Sequence, residues 1–331
     1  MTFKALFVEK LGEETSLNLK NITKEDLPNG DVLIRVAYSS VNYKDGLATI
    51  PNGNIVRSYP FIPGIDAAGI VAESRDARFA EGDAVLVTGY ELGVSHFGGY
   101  SEYIRVPADW VVALPKSLTL KEAMMVGTAG FTAALSVQAL EHQGVKPEDG
   151  EILVTGATGG VGSMAVSMLK NKGYTVVASS GKQEAHTFLE EIGANEVISR
   201  EEVVPEKIRP LGKMRWAGVV DPVGGQTLAA VLPNVKYGGA VAVSGMTAGI
   251  NVDTTVFPFI LRGVQLIGID SVYCPMANRQ PLWERIAMDL KPNQVLHAGI
   301  HEVSLDELMD VFPKILAGKM TGRAIVKLGD I

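Results

Sequence analysis

The stretch ILVTGATGGVG, residues 152–162, decides the fold of this chain. Its apolar start predicts a strand over 152–155, and the residues from 161 to 172 predict a helix. Glycines between a strand and a helix let the backbone bend sharply and approach a pyrophosphate, and the start of the helix offers unpaired N–H groups to the anion. The stretch therefore predicts a dinucleotide-binding turn. The alternative is a tight turn with a structural role only.

The turn is a variant of the pattern G-x-G-x-x-G. The glycine positions of that pattern hold Ala157, Gly159 and Gly162, so the first glycine is replaced. The residues predicted to contact the cofactor in this turn are Thr158, Gly159, Gly160 and Val161.

The residues after the next predicted strand indicate which dinucleotide is bound. This strand, Thr175–Ser179, leads into Ser180, Gly181 and Lys182. A site for NAD usually has Asp or Glu here, about 20 residues after the glycines, to bond the ribose 2′-hydroxyl. Ser180 can instead donate to a 2′-phosphate and Lys182 can supply charge, so the sequence predicts NADPH (NADP+) as the cofactor. Arg200 is predicted to be a second phosphate cation, and its alternative is a solvated surface arginine.

Predicted helices and strands alternate from about Ser117 onward, which indicates an α/β fold with a doubly wound parallel sheet of the Rossmann type. Ligands bind at the carboxyl ends of such strands, so Ser244, Gly245 and Ile269 are predicted to contact the cofactor. The first third of the chain is instead rich in short predicted strands, which favours a small barrel or a rolled sheet.

Composition excludes several other classes of function. The chain has 331 residues and a net charge of −7, which argues against nucleic acid as a partner. Its length predicts two domains. The single cysteine, Cys274, excludes an internal disulfide and a four-cysteine zinc site, and it fits a cytoplasmic protein. Two uncharged stretches, 123–140 and 152–169, are dense in small residues and are interpreted as buried elements, so no membrane contact and no targeting segment are expected.

Five further stretches carry a resemblance to a known family. They are VNYKD at 41–45, IPGIDAAG at 62–69, GTAGFTA at 127–133, DPVGG at 221–225 and FILR at 259–262. Together and in this order they resemble the medium-chain dehydrogenase/reductase superfamily, in its zinc-independent quinone oxidoreductase branch and the YhdH/YhfP (acrylyl-CoA reductase) group. The resemblance implies a GroES-like β-rich catalytic domain over 1–120 and 293–331, and a Rossmann NADPH-binding domain over 121–292. It also implies a homodimer paired through the edge strand near 264–269.

The resemblance argues against a metal. Zinc-dependent relatives have a cysteine where this chain has 42–45 (NYKD), and Gly-His-Glu where it has 64–66 (GID). A catalytic zinc needs about three converging ligands, so no metal is expected. His297 and His301 stand four residues apart and could share a helix face, but a third ligand is not evident.

A nicotinamide without a metal suits hydride addition to an alkene conjugated to a carbonyl, or to a quinone. Tyr43 is the first candidate for a catalytic group, because a phenol can protonate an enolate or bond the cofactor ribose. Its alternative is a structural tyrosine bonded to backbone. Asn42 is predicted to hold the same loop or to touch the nicotinamide, and Asp45 to cap the following turn. Arg323 could reach the cofactor from the tail, or be a salt-bridged surface residue.

Three functions stay open at this point. The first is an NADPH-dependent reductase of acrylyl-CoA or a similar short 2-enoyl thioester, with Arg57 and Lys44 as candidates for binding the CoA phosphates. The second is an NADPH:quinone oxidoreductase. The third, from another class, is an NADPH-binding sensor without turnover.

Overall fold

The computed structural model describes residues 2–329, without the side chain of Leu11. The strands in that range are β1 Thr2–Leu11, β2 Glu14–Thr23, β3 Val32–Val41, β4 Asp66–Ser74, β5 Ala84–Thr88, β6 Tyr103–Val106, β7 Val112–Ala113, β8 Glu151–Val154, β9 Thr175–Ser180, β10 Glu196–Ser199, β11 Trp216–Asp221, β12 Val235–Val243, β13 Gln265–Gly268, β14 Ile300–Ser304 and β15 Arg323–Lys327.

The α-helices are α1 Tyr43–Ala48, α2 Leu120–His142, α3 Gly160–Asn171, α4 His186–Glu191, α5 Arg200–Val203, α6 Gly225–Val231, α7 Phe257–Arg262, α8 Met276–Ile286, α9 Asn293–Ala298 and α10 Leu308–Leu316. The chain divides into two compact units. Unit 1 contains the described residues up to Thr128, Val272–Ala287, and those from Ile300 onward; unit 2 contains Ala129–Ser271 and Met288–Gly299. The predicted domain boundaries at 120/121 and 292/293 stay predictions. The compact units are divided at other positions, and α8 belongs to unit 1.

Unit 2 holds a six-stranded parallel sheet. Its strand order is β10-β9-β8-β11-β12-β13, and each neighbouring pair runs parallel. Counted within the unit, this is the order 3-2-1-4-5-6 of a Rossmann fold, whose direction of winding reverses between β8 and β11. Side chains such as Leu153, Val219, Leu228 and Val241 form its apolar core. The predicted α/β class with a Rossmann sheet is confirmed.

Unit 1 holds the second sheet, with the order β14-β15-β3-β4-β5-β7 and β6 paired to β3. Strand β15 lies antiparallel to β3, with Ala324 opposite Val41. The tail of the chain therefore completes the sheet that the N-terminal third begins, as the resemblance implies for a GroES-like domain. Strands β1 and β2 form a separate antiparallel pair.

Helix α2 begins at a capping box formed by Thr119 and Glu122. The Thr119 N–H donates to Glu122 Oε2 at 2.9 Å, and the Glu122 N–H donates to Thr119 Oγ1 at 3.1 Å. Gly127 interrupts the helix with φ +52° and ψ −160°, a break that was not predicted from the sequence. Among residues 2–329, α2 alone is long and apolar enough to cross a membrane, but 72% of its most apolar window is buried inside the protein, as expected for a core helix.

The structure places several local features. His297 lies in α9 and His301 in β14, so the two do not share a helix face, and the possibility of a histidine pair on one helix finds no support. Helix α8 begins at Met276, and Pro281 lies inside it. Helix α1 and strand β2 were not predicted, since α1 has only six residues and β2 is mostly exposed.

Candidate active site

The turn after β8 has the geometry that a dinucleotide requires. Gly156 adopts φ +54°, and the Ala157 N–H donates to Ser179 O at 3.1 Å, which ties the turn to the end of β9. Helix α3 begins at Gly160 with Gly159 as its N-cap. The first N–H groups of a helix have no partner inside it, so the start of α3 offers donors to an anion.

Two positions explain how the variant glycine pattern works. The positive φ falls on Gly156, one place before the pattern's first glycine, so Ala157 is accommodated although it is fully buried. A Cβ on Gly162 would lie 2.7 Å from Ala157 Cα and closer still to Gly156 O. Gly162 is therefore required for α3 to pack against the turn.

The residues after β9 form a cationic position. Arg200 lies against Gly181, since a Cβ on Gly181 would be 3.1 Å from Arg200 Nη2. Ser180 Oγ accepts from the Lys182 N–H at 3.0 Å and keeps its own hydrogen for another acceptor. Burial lowers the pKa of Lys182, and Glu184 opposes this. Arg200 thus lies beside the segment that carries Ser180 and Lys182, and these residue types suit a phosphate group.

Strand ends further along the same edge complete the unit 2 site. The buried oxygen Ser244 Oγ has no hydrogen-bond partner within residues 2–329, so it fits a ligand that would supply one. A Cβ on Gly245 would lie 2.6 Å from Pro222 C. The Ile269 N–H donates to Val243 O at 2.9 Å, which leaves the Ile269 carbonyl for the predicted contact.

Asp221 holds two of these turns together, and sequence reasoning gave it no such role. Its carboxylate accepts from Thr155 Oγ1 at the end of β8, and from the Gly224 N–H at 2.9 Å after β11. Burial raises the pKa of Asp221 against these hydrogen bonds. The turns at the reversal point of the sheet are therefore fixed before any ligand binds.

Asn42 and Asp45 form the start of α1 in unit 1. The Asn42 N–H donates to Asp45 Oδ2 at 2.8 Å, and the Ile65 N–H donates to Asp45 Oδ1 at 2.9 Å. Asp45 closes a capping box at the start of α1, with Asn42 as the N-cap, so it caps the helix that contains it rather than the turn that follows. Burial and the neighbouring carboxylate of Asp66 raise the pKa of Asp45 to about 7.

The side chain of Asn42 is enclosed by charged groups. Its Nδ2 lies 2.8 Å from Asp66 Oδ2 and 3.2 Å from Asp45 Oδ2, and its Oδ1 accepts from Arg323 Nη1 at 3.0 Å. Asn42 is buried. Of the two predicted roles, the structure favours holding the loop, because the amide already uses its donors and its acceptor within the protein.

Arg323 is buried at 3% exposure, so the prediction of a salt-bridged surface residue is wrong. Besides Asn42, its guanidinium donates to Val41 O at 3.1 Å and Ser40 Oγ at 2.9 Å, with a longer bond to Met125 O. Its contact with the cofactor stays a prediction, and the hydrogen bonds seen here are all with protein groups.

Tyr43 is the exposed member of this region. It is the first residue of α1, and its side chain is 44% exposed. Its hydroxyl makes no hydrogen bond in the part of the chain that the structure describes, so the alternative of a tyrosine bonded to backbone finds no support. Tyr43 is available to a ligand on the unit 1 side.

Sequence reasoning missed the residues that surround Asn42. Asp66 accepts from Ser40 Oγ, from the Thr128 N–H at 2.9 Å and from Thr128 Oγ1, and it is fully buried. An aspartate inside the apolar run 62–69 was the available signal, because a buried carboxylate requires partners. Its partners come from distant parts of the sequence and could not be named from spacing.

Comparison with known proteins now assigns the family. The model "Alcohol dehydrogenase GroES-like domain" matches residues 28–116, and the model "Zinc-binding dehydrogenase" matches residues 160–288. The chain is 59% identical to the candidate quinone oxidoreductase YhfP of Bacillus subtilis, over 98% of this chain and 99% of that protein. This chain belongs to the medium-chain dehydrogenase/reductase superfamily.

Within the superfamily the chain falls in the zinc-independent quinone oxidoreductase and acrylyl-CoA reductase group. It is 48% identical to the acrylyl-CoA reductase AcuI of Ruegeria pomeroyi, over 98% of both chains. The crystal structure of Bacillus subtilis YhfP with NAD bound matches with a TM-score of 0.97 at 58% identity, covering 99% of this chain and 100% of that one. The Salmonella enterica yhdH oxidoreductase in complex with NADP matches with a TM-score of 0.95 at 45% identity, covering 98% and 100%.

The description of the second family model names zinc, which this chain's residues do not favour. Between residues 160 and 288 the sequence has one histidine, His186, and one cysteine, Cys274, whereas a catalytic zinc needs about three ligands. No group of three or more potential ligands is found among the described residues. The absence of zinc from this protein stays a prediction.

Proposed function

We propose that this oxidoreductase uses NADPH to reduce the activated C=C bond of a short 2-enoyl thioester such as acrylyl-CoA. The observation that carries the proposal is the cationic position where Arg200 lies against Gly181, beside Ser180 and Lys182. No carboxylate stands at the end of β9, where NAD-specific sites have one. The acrylyl-CoA reductase AcuI, which is 48% identical, supports the substrate class.

The proposed cofactor contacts follow the carboxyl edge of the unit 2 sheet. The turn residues would hold the pyrophosphate, the cationic position the 2′-phosphate, and the later strand ends the nicotinamide half. These residues are Thr158, Gly159, Gly160, Val161, Ser180, Gly181, Lys182, Arg200, Ser244, Gly245 and Ile269. For unit 1, the cofactor contacts of Tyr43 and Arg323 stay predictions from the sequence.

Bound NADPH would supply a hydride to the β-carbon of the thioester. Negative charge then develops on the carbonyl oxygen, and the α-carbon takes up a proton. We propose Tyr43 as the proton donor or as a hydrogen-bond donor that orients the reactants, because its exposed hydroxyl makes no hydrogen bond to the residues that the structure describes. Asn42 supports Tyr43 by holding the start of α1.

Arg57 and Lys44 are proposed to bind the phosphates of CoA. Arg57 is exposed and Lys44 half-buried. The hydrogen bonds from Ser95 and Tyr273 are the main causes that lower the pKa of Glu91, and the charges of Arg57 and Lys44 lower it further. The two cations therefore lie in one region of unit 1. The Arg57→Ala variant should raise KM for a CoA thioester by about 5- to 10-fold and leave KM for a small quinone unchanged. An equal change for both acceptors would contradict a phosphate contact.

An NADPH:quinone oxidoreductase is the second candidate, and the higher identity to YhfP favours it. A panel of acrylyl-CoA, crotonyl-CoA, and ortho- and para-quinones, followed by NADPH oxidation, separates the two. Turnover of quinones with inert enoyl thioesters would reject the first proposal. Tight NADPH binding without turnover of any acceptor would indicate the sensor.

The role of Tyr43 is tested by Tyr43→Phe, with Tyr237→Phe, an exposed tyrosine of unit 2, as control. If the phenol donates the proton, kcat should fall by about 10²-fold or more at unchanged fold stability. An unchanged kcat would remove that role.

We also propose a cytoplasmic homodimer. Strand β13 is the last strand of the unit 2 sheet and exposes Leu266, and the neighbouring α7 exposes Ile260 and Leu261. An edge strand beside exposed apolar side chains fits pairing with a second copy. Sedimentation analysis should give a dimer for the wild type and a monomer for Leu266→Lys. The control Met288→Lys, at an exposed methionine away from this edge strand in sequence, should remain a dimer.

A further inference from the structure

The guanidinium of Arg323 and the carboxylate of Asp66, two buried charges next to Asn42, are connected by hydrogen bonds through neutral groups. Arg323 Nη1 donates to Asn42 Oδ1, and Asn42 Nδ2 in turn donates to Asp66 Oδ2. In parallel, Arg323 Nη2 donates to Ser40 Oγ, whose hydroxyl donates to Asp66. The amide of Asn42 and the hydroxyl of Ser40 therefore lie between a cation and an anion.

This arrangement fixes the orientation of the Asn42 amide. The cation faces the carbonyl oxygen, while the carboxylates of Asp66 and Asp45 face the nitrogen. A reversed amide would place donors against donors and an acceptor against carboxylates, so only one orientation is stable.

A second contact ties Arg323 to the same loop. Its Nη1 also donates to Val41 O, the carbonyl just before Asn42. The backbone and the side chain at the start of α1 are thus both bonded to one guanidinium that lies on β15.

We infer that Arg323 is a positioning residue, whose guanidinium, acting opposite Asp66, fixes Asn42 and the first turn of α1 and thereby positions Tyr43. The inference rests on the proposed function only in giving Tyr43 a role in the reaction. The anchoring of the loop itself does not depend on any substrate.

We call the buried groups around Asn42 the Arg323 cluster. Its charged and titratable members are Asp45 on α1, Asp66 on β4, Tyr100 in the loop before β6 and Arg323 on β15. Burial raises the pKa of Tyr100, which also faces both carboxylates. Burial lowers the pKa of Arg323, and Asp66 and Asp45 oppose this. Removing this cation would raise the pKa of Asp45 further.

The first test follows unfolding of the cofactor-free protein. In Arg323→Gln, Asp45 should hold its proton to higher pH, so the Tm of this variant should fall more steeply than that of the wild type as pH rises from about 5.5 to 8. The gap in Tm should widen by about 2–4 °C or more over this range. Arg323→Lys keeps the charge and should keep the slope of the wild type.

The matched control is Arg262→Gln. Arg262 donates to the carbonyls of Gly212, Pro233 and Val235, and no carboxylate is paired with it within residues 2–329. Its loss should lower Tm by a similar amount at each pH. A pH-dependent gap confined to Arg323→Gln distinguishes charge balance from general loss of packing.

The second test uses whichever acceptor the wild type reduces, a quinone if acrylyl-CoA is inert. For Arg323→Gln, kcat should fall by about 10- to 100-fold, because small displacements of a reacting group are costly, while KM for NADPH changes less than about 3-fold. A rise in KM for NADPH at unchanged kcat would instead support the predicted cofactor contact of Arg323 and overturn the positioning role. Arg323→Lys should recover part of kcat. A folded Arg323→Gln protein with the pH slope and the kcat of the wild type would overturn the inference. If the wild type reduces no acceptor, the proposed function fails and the slope of Tm alone decides the role of Arg323.

Discussion

The cofactor turn of unit 2 and the Arg323 cluster of unit 1 handle charge in opposite ways. The turn offers backbone N–H groups from Gly160 onward, and the cationic position beside Gly181 has two partly or fully exposed cations, Lys182 and Arg200. The cluster instead buries Arg323, Asp66 and Asp45, and bonds each of them to other protein groups. The turn can therefore bind an anion from outside the protein, whereas the cluster pairs acidic and basic groups of the protein itself.

The difference shows where each region tolerates change. In the turn, glycines are needed for close approach of backbone, and the loss of one side chain should weaken ligand binding without unfolding the protein. In the cluster, each polar group has a defined partner, so one substitution leaves a buried charge or donor without compensation. The predictions below compare these two expectations.

The largest effect is expected for Gly127→Ala. A Cβ there would lie 2.6 Å from Arg323 Nη2 and 2.7 Å from Asp66 Oδ2, at φ +52°. Backbone strain and the forced displacement of the cluster together should cost about 2–6 kcal/mol of unfolding free energy, measured by denaturant titration. Gly144→Ala is the control, because Gly144 has φ +81° with nothing within 4 Å of its Cβ position; it should cost about 1 kcal/mol. Equal losses would mean that the cluster adapts to the methyl group.

A somewhat smaller effect is expected for Asn42→Asp. The new carboxylate would face those of Asp66 and Asp45 in a buried site, so the free energy of unfolding at pH 8 should fall by about 3 kcal/mol. Part of the loss should return at pH 5.5, where a carboxyl can take up a proton. Asn18→Asp is the matched control, since Asn18 donates to Glu9 at 2.9 Å on an exposed hairpin, and it should cost at most about 1 kcal/mol. A loss of unfolding free energy below about 1 kcal/mol for Asn42→Asp would show that water reaches the cluster.

The same contrast explains what the sequence could predict. Backbone sites follow from local order: the glycines of 156–162 and the residues after β9 lie close in sequence, so the turn, the fold class and the cationic position were predicted. The cluster joins β3, β4, the break in α2 and β15, and its members are far apart in the chain. Arg323 was therefore expected near the cofactor or at the surface, although its side chain is buried against Asn42.

The pH dependence of stability should reveal the cluster in the unaltered protein. The pKa of Asp45 in the folded chain, about 7, lies above its ordinary value of 3.8. The folded state therefore binds more protons than the unfolded state between these values, and the free energy of unfolding falls as pH rises, by at most about 1.4 kcal/mol per pH unit. Measured between about pH 5 and 7.5, Asp45→Asn should have a flatter slope than the wild type. A parallel slope would assign the titration to other groups.

The smallest effect is expected at the open site, for Lys182→Ala. Loss of one partly exposed cation should weaken NADPH binding by about 10-fold, near 1.4 kcal/mol, and change NADH binding by less than about 2-fold. Lys207→Ala removes an exposed lysine of the same unit and should leave both affinities unchanged. Because burial lowers the pKa of Lys182, the preference of the wild type for NADPH should decline at alkaline pH, while binding of NADH through the backbone turn stays unchanged.

YhfP binds NAD in its crystal structure. Equal affinities for NADPH and NADH in the wild type would show that the cationic position beside Gly181 does not select the 2′-phosphate.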